Sequence, residues 1–135
     1  MPGILADANV TRHVWQLLIG ISGPEWREVL NYIGFSAYSF RTLGLPPDMP
    51  DDALWRLCQD KELVLVTANR NADGPNSLEA VIRAESRQDS LPVFTIADAD
   101  RVLEDWEYRD RVAYKMADYL FDIDRYRGSG RIYLP

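Results

Sequence analysis

The chain lacks most of the residues on which small metalloproteins and hydrolases build their sites. Its single cysteine, Cys58, excludes an internal disulfide and a thiolate zinc centre built within one chain. Its single histidine, His13, is the only base available to a Ser-His-Asp triad. His13 sits beside Val14 and Trp15, where a packed or helix-surface imidazole is the ordinary role, though its position soon after Asp7 keeps it near that carboxylate. No glycine-rich phosphate loop is present, and the late "GSG" opens no helix. No apolar run approaches the ~20 residues of a membrane span, and "MPGILADANV" lacks the basic flank and apolar core of a secretion signal. These absences lead us to expect a soluble protein of a reducing, cytoplasmic compartment.

Positive charge is also scarce. With 15 basic against 21 acidic residues, the formal charge of −6 repels a polyanion at long range and leaves only local patches, with Arg83, Arg87, Arg125, Arg127 and Arg131 as candidates.

What remains is a regular alternation of strand-like and helix-like segments in 135 residues, 47% of them hydrophobic, enough for one core without staples. "GILAD" reads as a strand ending at Asp7, followed by a helix through "VWQLLIGI" capped at Asn9 or Thr11. A second helix is expected from Ser22-Gly23-Pro24-Glu25, with Trp26, Val29, Leu30 and Ile33 at helical spacing and Gly34 as its stop. "FSAYSFRTL" alternates like a strand, and "GLPPDMPDD" is a proline-rich loop. Asp51 or Asp52 opens a third helix, "LVLVT" follows as a strand, and Asn76 with Glu79 suggests a capping box for the next helix. "LPVFTIAD" is a strand ending at Asp98. A short helix, a longer one over Glu107–Asp122, and a tail at 127–135 that is flexible or forms a last strand complete the chain. Alternation of this kind implies parallel pairing through crossovers, hence one domain over 1–135 with three α/β/α layers and a central, mainly parallel sheet.

Function in such a sheet gathers at the carboxyl ends of its strands. The strand ends deliver Asp7, then Asn69, Asn71 and Asp73, then Asp98, all acidic or amide side chains. Converging carboxylates suit a hard divalent cation. The same residue types also cap helices and form turns, so each has an ordinary structural role as well.

"ILADANV", together with "DDALWRLCQDKELVLVTANRNAD" and the helix after it, resembles the small PIN-like proteins. In that family an opening strand ends L-L-D-E-N, and a helix beginning near an aspartate leads to a strand ending T-x-D-x-D-F. The resemblance spans roughly Ile4 to Asp73. It implies a parallel α/β sheet and a magnesium- or manganese-dependent ribonuclease acting on single-stranded RNA, often as the toxin beside an antitoxin-like partner. Carried over by position, Asp7 matches the first acid, Asp51 or Asp52 lies near the acid before the middle helix, and Thr67 matches the threonine. Asn69 and Asn71 stand where two carboxylates belong, and Ala8 where glutamate is common. The expected catalytic set is Asp7, Asn69, Asp73 and Asp98, with Asn71 as a further metal ligand. Asn9, Asp51, Asp52 and Thr67 form a supporting tier. The neutral amides imply weakened metal binding, and hence either an attenuated nuclease or an inactive PIN-like binding module.

Tyr108, Tyr114, Tyr119, Phe121 and Tyr126 alternate with Arg109, Arg111, Lys115, Arg125 and Arg127 in the last third. Aromatics with arginine serve base stacking or protein interfaces. On an acidic chain the interface is favoured, so a homo-oligomer or partner-protein surface anchored on Tyr119 and Tyr126 is expected.

Overall fold

The structure, a computed structural model, describes residues 3–21, 36–70 and 74–135. Its centre is a sheet of five parallel strands, β1 (Gly3–Ala6), β2 (Ala37–Tyr38), β3 (Leu63–Thr67), β4 (Val93–Ile96) and β5 (Arg131–Leu134), in the order β2-β1-β3-β4-β5. The α-helices among the described residues are α1 (Thr11–Ile21), α2 (Phe40–Leu43), α3 (Asp51–Asp60), α4 (Leu78–Glu85), α5 (Ala99–Glu104) and α6 (Trp106–Phe121). The expected three-layer α/β/α architecture is therefore present. Strands β1, β3 and β4 are buried at every position, as unbroken apolar runs covered on both faces must be.

The pleat sorts the core into two halves. Ile4, Ala6, Val64, Val66, Phe94 and Ile96 face Val10, Val14 and Leu17 around α1 and Val112, Ala113, Met116 and Leu120 of α6. Leu5, Leu63, Leu65 and Val93 face Leu54, Trp55 and Cys58 of α3 and Leu78, Val81 and Ile82 of α4. Helix α1 presents Val14 and Leu17 beside Val10 of the turn before it, because a 3.6-residue repeat brings positions three apart to one face. Gly3 is required where β1 meets its neighbours: a Cβ there would lie 2.8 Å from the Ser36 carbonyl oxygen and 2.9 Å from Leu63 Cδ2.

Two crossovers differ in hand. The connection from β3 to β4 places α4 on one face, whereas the next step in the same direction, β4 to β5, places α5 and α6 on the other. Parallel crossovers overwhelmingly share one hand, so this last one is an exception that sequence patterning does not reveal. The chain re-enters the sheet through Gly128 and Gly130, both at positive φ, with the Gly128 N–H donating to the Ser90 carbonyl. The tail is thus a strand, and it sets Arg131 and Tyr133 on the α4 side of the edge.

Several local expectations change. "FSAYSFRTL" holds only a two-residue strand: Ser39 caps a helix at once, in a capping box with Thr42, because its hydroxyl competes for the backbone amide that a strand would need. The cap of α4 is Ser77, which accepts from Ala80 N–H, and not Asn76. Asp51 and Asp52 lie in the first turn of α3 after Pro50, where negative charge favours the helix dipole, and neither is the cap residue itself. Asp7 caps the short 3-10 turn Ala8–Val10 that leads into α1, a role assigned above to Asn9 or Thr11. The helix expected over Ser22–Gly34 lies outside the described residues.

Phe94, fully buried, packs on Tyr119 with ring centroids 5.9 Å apart. Phe94→Ala should cost roughly 3–5 kcal/mol in urea unfolding. A loss below about 1 kcal/mol would show that the α6 face is not core.

Candidate functional site

In the order β2-β1-β3-β4-β5 the chain first steps from β1 to one side and then continues on the other, so the topological switch lies between β1 and β3. Ala6 pairs with Val66, so the next residues, Asp7 and Thr67, meet there. Thr67 Oγ1 donates to Asp7 Oδ2 at 2.7 Å, and Ala8 N–H donates to Asp7 Oδ1 at 2.7 Å. The Thr67 hydroxyl accepts in turn from Asn69 N–H at 2.9 Å. Asn69 Nδ2 then donates to Asp51 Oδ2 at 2.9 Å, tying the start of α3 to the end of β3.

Burial pushes the Asp7 carboxyl above its ordinary value; the bonds from Thr67 and Ala8 pull it back, and the Asp51 charge raises it further. Beneath it, burial and the Asp7 charge push the Cys58 thiol up to about 12, so that sulfur stays protonated. Asp7 and Asp51 thus form a partly desolvated pair of like charges joined through Thr67 and Asn69.

Arg131 supports the same cluster from β5. Its guanidinium crosses the sheet face, donating from Nη1 to Thr95 Oγ1 at 2.6 Å and to the Asn69 carbonyl at 2.7 Å, while Nε and Nη2 reach Glu79 Oε2 at 3.0 and 2.9 Å. Its side chain is only 6% exposed.

The remaining expected residues divide. Asp52 is drawn away: it accepts from Ala53 N–H and pairs with Arg56 at 3.3 Å. Asn9 is exposed in the turn after Asp7. Asp98 caps α5, accepting from Arg101 N–H, while its own amide donates to the buried Tyr108 hydroxyl. It follows β4, two strand spacings or about 10 Å from the strand of Asp7, and no hydrogen bond joins it to the Asp7 cluster among the described residues. Asn71 and Asp73 lie outside the described residues. Among the described residues no three His, Cys, Asp or Glu side chains gather as a metal-ligand group. His13 lies on α1 near Asp100 and Arg12, and burial lowers its pKa.

The aromatic tail is largely spent on packing. Tyr108 is buried, and Tyr119 stacks edge-on against Tyr126 at 4.9 Å while touching Phe94, so Tyr119 and Tyr126 are supports of the core and not open anchors. Tyr114 and Phe121 remain exposed, as does Trp106. A cavity of about 670 Å³ lies at the opposite end of the sheet between α3 and α4, and two of the arginines that line it, Arg56 and Arg127, are paired with Glu85 and Glu62. Two residues near the Asp7 cluster escaped the sequence reading: Arg70, and Tyr133 with its ring 5.6 Å from the Arg70 guanidinium. The alternation in "RIYL", which sets Arg131 and Tyr133 on one face, was the available signal.

No protein-family model, characterised protein or solved structure compared with this chain matches it. No helix among the described residues is long and apolar enough to cross a membrane.

Because the Asp7 carboxyl is raised, the folded state holds that proton more tightly than the unfolded chain does. The cost of ionising Asp7 is therefore fully present above the folded-state value and disappears below the unfolded value, 3.8. Asp7→Asn should melt higher than the parent at neutral pH, with the difference vanishing as pH falls below 3.8; a difference independent of pH would contradict the desolvated carboxylate. Thr67→Val, which strips a donor from Asp7 and an acceptor from Asn69 N–H, should cost about 1–3 kcal/mol.

Proposed function

We propose that this chain is a PIN-like, metal-dependent ribonuclease of weakened activity. The observation that carries the reading is the desolvated Asp7 carboxylate at the switch point, within electrostatic reach of Asp51. Like charges withdrawn from water favour a neutralising cation. Magnesium needs only one or two protein carboxylates beside waters and substrate phosphate, and manganese suits the same oxygen donors. The donor set therefore fits: Asp7 and Asp51 would hold the ion, with the neutral Asn69 side chain beside them. A bound ion would supply an activated water and stabilise charge on a phosphodiester. The chain's own residues orient the site. Thr67 and the Ala8 amide fix the Asp7 carboxylate, and Asn69 fixes Asp51. Activity is weak because Asn69 contributes no charge, and in the absence of a cation its amide suits Asp51 better than a carboxylate would.

The second reading, an inactive PIN-like binding module, is favoured by one specific feature: both Asp7 oxygens and Asp51 Oδ2 already accept hydrogen bonds from within the chain. Either reading takes single-stranded RNA as ligand in a cytoplasmic setting, an antitoxin-like protein as partner, and the exposed Trp106, Tyr114 and Phe121 as a surface for self-association.

Asn69→Asp separates the two. Without metal it sets a third carboxylate beside Asp51, so the melting temperature should fall in chelator and recover in millimolar magnesium. Cleavage of a labelled single-stranded RNA should rise roughly 10-fold over a slow parent rate and vanish in Asp7→Ala. Loss of stability that magnesium does not restore, with no cleavage by either protein, leaves the binding module as the correct description.

A further inference from the structure

The register of the sheet lines up one row of side chains beyond the Asp7 cluster. Thr67 pairs with Thr95 and Thr95 with Tyr133, so Asp7, Thr67, Thr95 and Tyr133 stand side by side on the α3/α4 face across four strands. Three strand spacings, about 15 Å, separate its ends. One end is acidic and the other is aromatic and basic. At that second end, on the edge strand, Tyr133 is 54% exposed, whereas Thr67 and Thr95 on the interior strands are fully buried.

Two guanidinium groups flank the ring. Arg70, the exposed residue after Asn69, lies 5.6 Å from the ring centroid and donates from Nη2 to the Ala97 carbonyl, which fixes it at the ends of β3 and β4. Arg131, held by Glu79, Thr95 and the Asn69 carbonyl, lies 6.0 Å from the same centroid. A half-open tyrosine with two guanidinium groups over its ring, one of them the exposed Arg70, has the make-up of a stacking position for a nucleobase. The ring supplies the apolar face, and Arg70 can turn further N–H donors toward a phosphate.

We propose that Tyr133 and Arg70 form a base-stacking position for single-stranded nucleic acid whose backbone passes over the carboxyl ends of the strands toward Asp7, above the buried Thr67 and Thr95. This rests on the reading of the Asp7 cluster as a phosphodiester site and adds to it the residues that place the strand. Stacking uses the π-face common to all bases, so the position is tolerant of sequence. With the exposed Arg70 as the arginine at this position that can meet a phosphate on an acidic chain, binding is weak and depends only gently on salt.

The test uses a short single-stranded RNA carrying 2-aminopurine, whose fluorescence is quenched on stacking, titrated with the full chain in chelator so that no cleavage occurs. The parent protein should quench the probe. Tyr133→Phe should retain quenching, and Tyr133→Ala should weaken binding roughly 10-fold with an unchanged melting temperature. Ribose 5-phosphate should compete poorly and adenosine monophosphate better. Equal quenching by the parent and Tyr133→Ala, or no quenching by either, overturns the stacking position. The two readings fail separately. Asp7-dependent RNA cleavage with an unchanged KM in Tyr133→Ala would keep the nuclease and discard the platform. Tyr133-dependent quenching without any cleavage would keep the platform and discard the nuclease.

Discussion

Parallel pairing of β1 with β3 brings Asp7 against Thr67, and the 2.7 Å bond between them decides what the end of the sheet can be. A carboxylate there loses solvation through burial, and the like charge of Asp51 adds to the cost. The cost is borne because two donors, the Thr67 hydroxyl and the Ala8 amide, replace water at both oxygens. Removing either would leave a partly buried anion short of a partner, which is more damaging than the net value of a hydrogen bond suggests. Asn69 and Arg131 extend this arrangement outward, so the start of α3, the end of β3 and the edge strand β5 depend on one another through polar contacts.

That dependence gives the amide at position 69 a physical meaning. A carboxylate there would face Asp51 with no hydrogen to donate, whereas the amide closes the link at 2.9 Å. The cluster is therefore stable with fewer charges, and the same neutrality limits how strongly it attracts a cation. Neutrality at position 69 thus both closes the link to Asp51 and lowers the charge of the cluster.

Much of the fold was legible in the sequence because its strands are unbroken apolar runs and its helices carry clean 3.6-residue repeats: "LVLVT" and "VFTIA" have the make-up of central strands, and Asp7 fell at a strand end. The pairing of Asp7 with Thr67 followed from topology, which local patterning approaches only through the alternation of elements. Three things were hidden for identifiable reasons. The strand expected over "FSAYSFRTL" ends after Tyr38 because Ser39 and Thr42 form a capping box, a side-chain effect that outweighs alternation. Tyr119 and Tyr126 looked like surface anchors, but their contact with each other and with Phe94 depends on where the chain folds back after α6. Arg131 and Tyr133 come to the α4 side through the register of β5 on β4, where Arg131 pairs with Val93 and Tyr133 with Thr95, and alternation alone does not encode that register. Asp98 satisfied the expectation of an acid at a strand end while serving as a helix cap, the alternative that composition always leaves open.

The central claim is that the Asp7–Asp51 pair is where a divalent cation meets this chain. Titration with manganese, followed by paramagnetic broadening of backbone amide resonances, tests it directly, since broadening falls steeply with distance from the ion. The account requires the amides of Ala8, Asn69 and Asp51 to broaden first and together, and to be spared in Asp7→Asn. Broadening confined to other acidic surface positions, with those three amides unchanged at millimolar manganese, would contradict it.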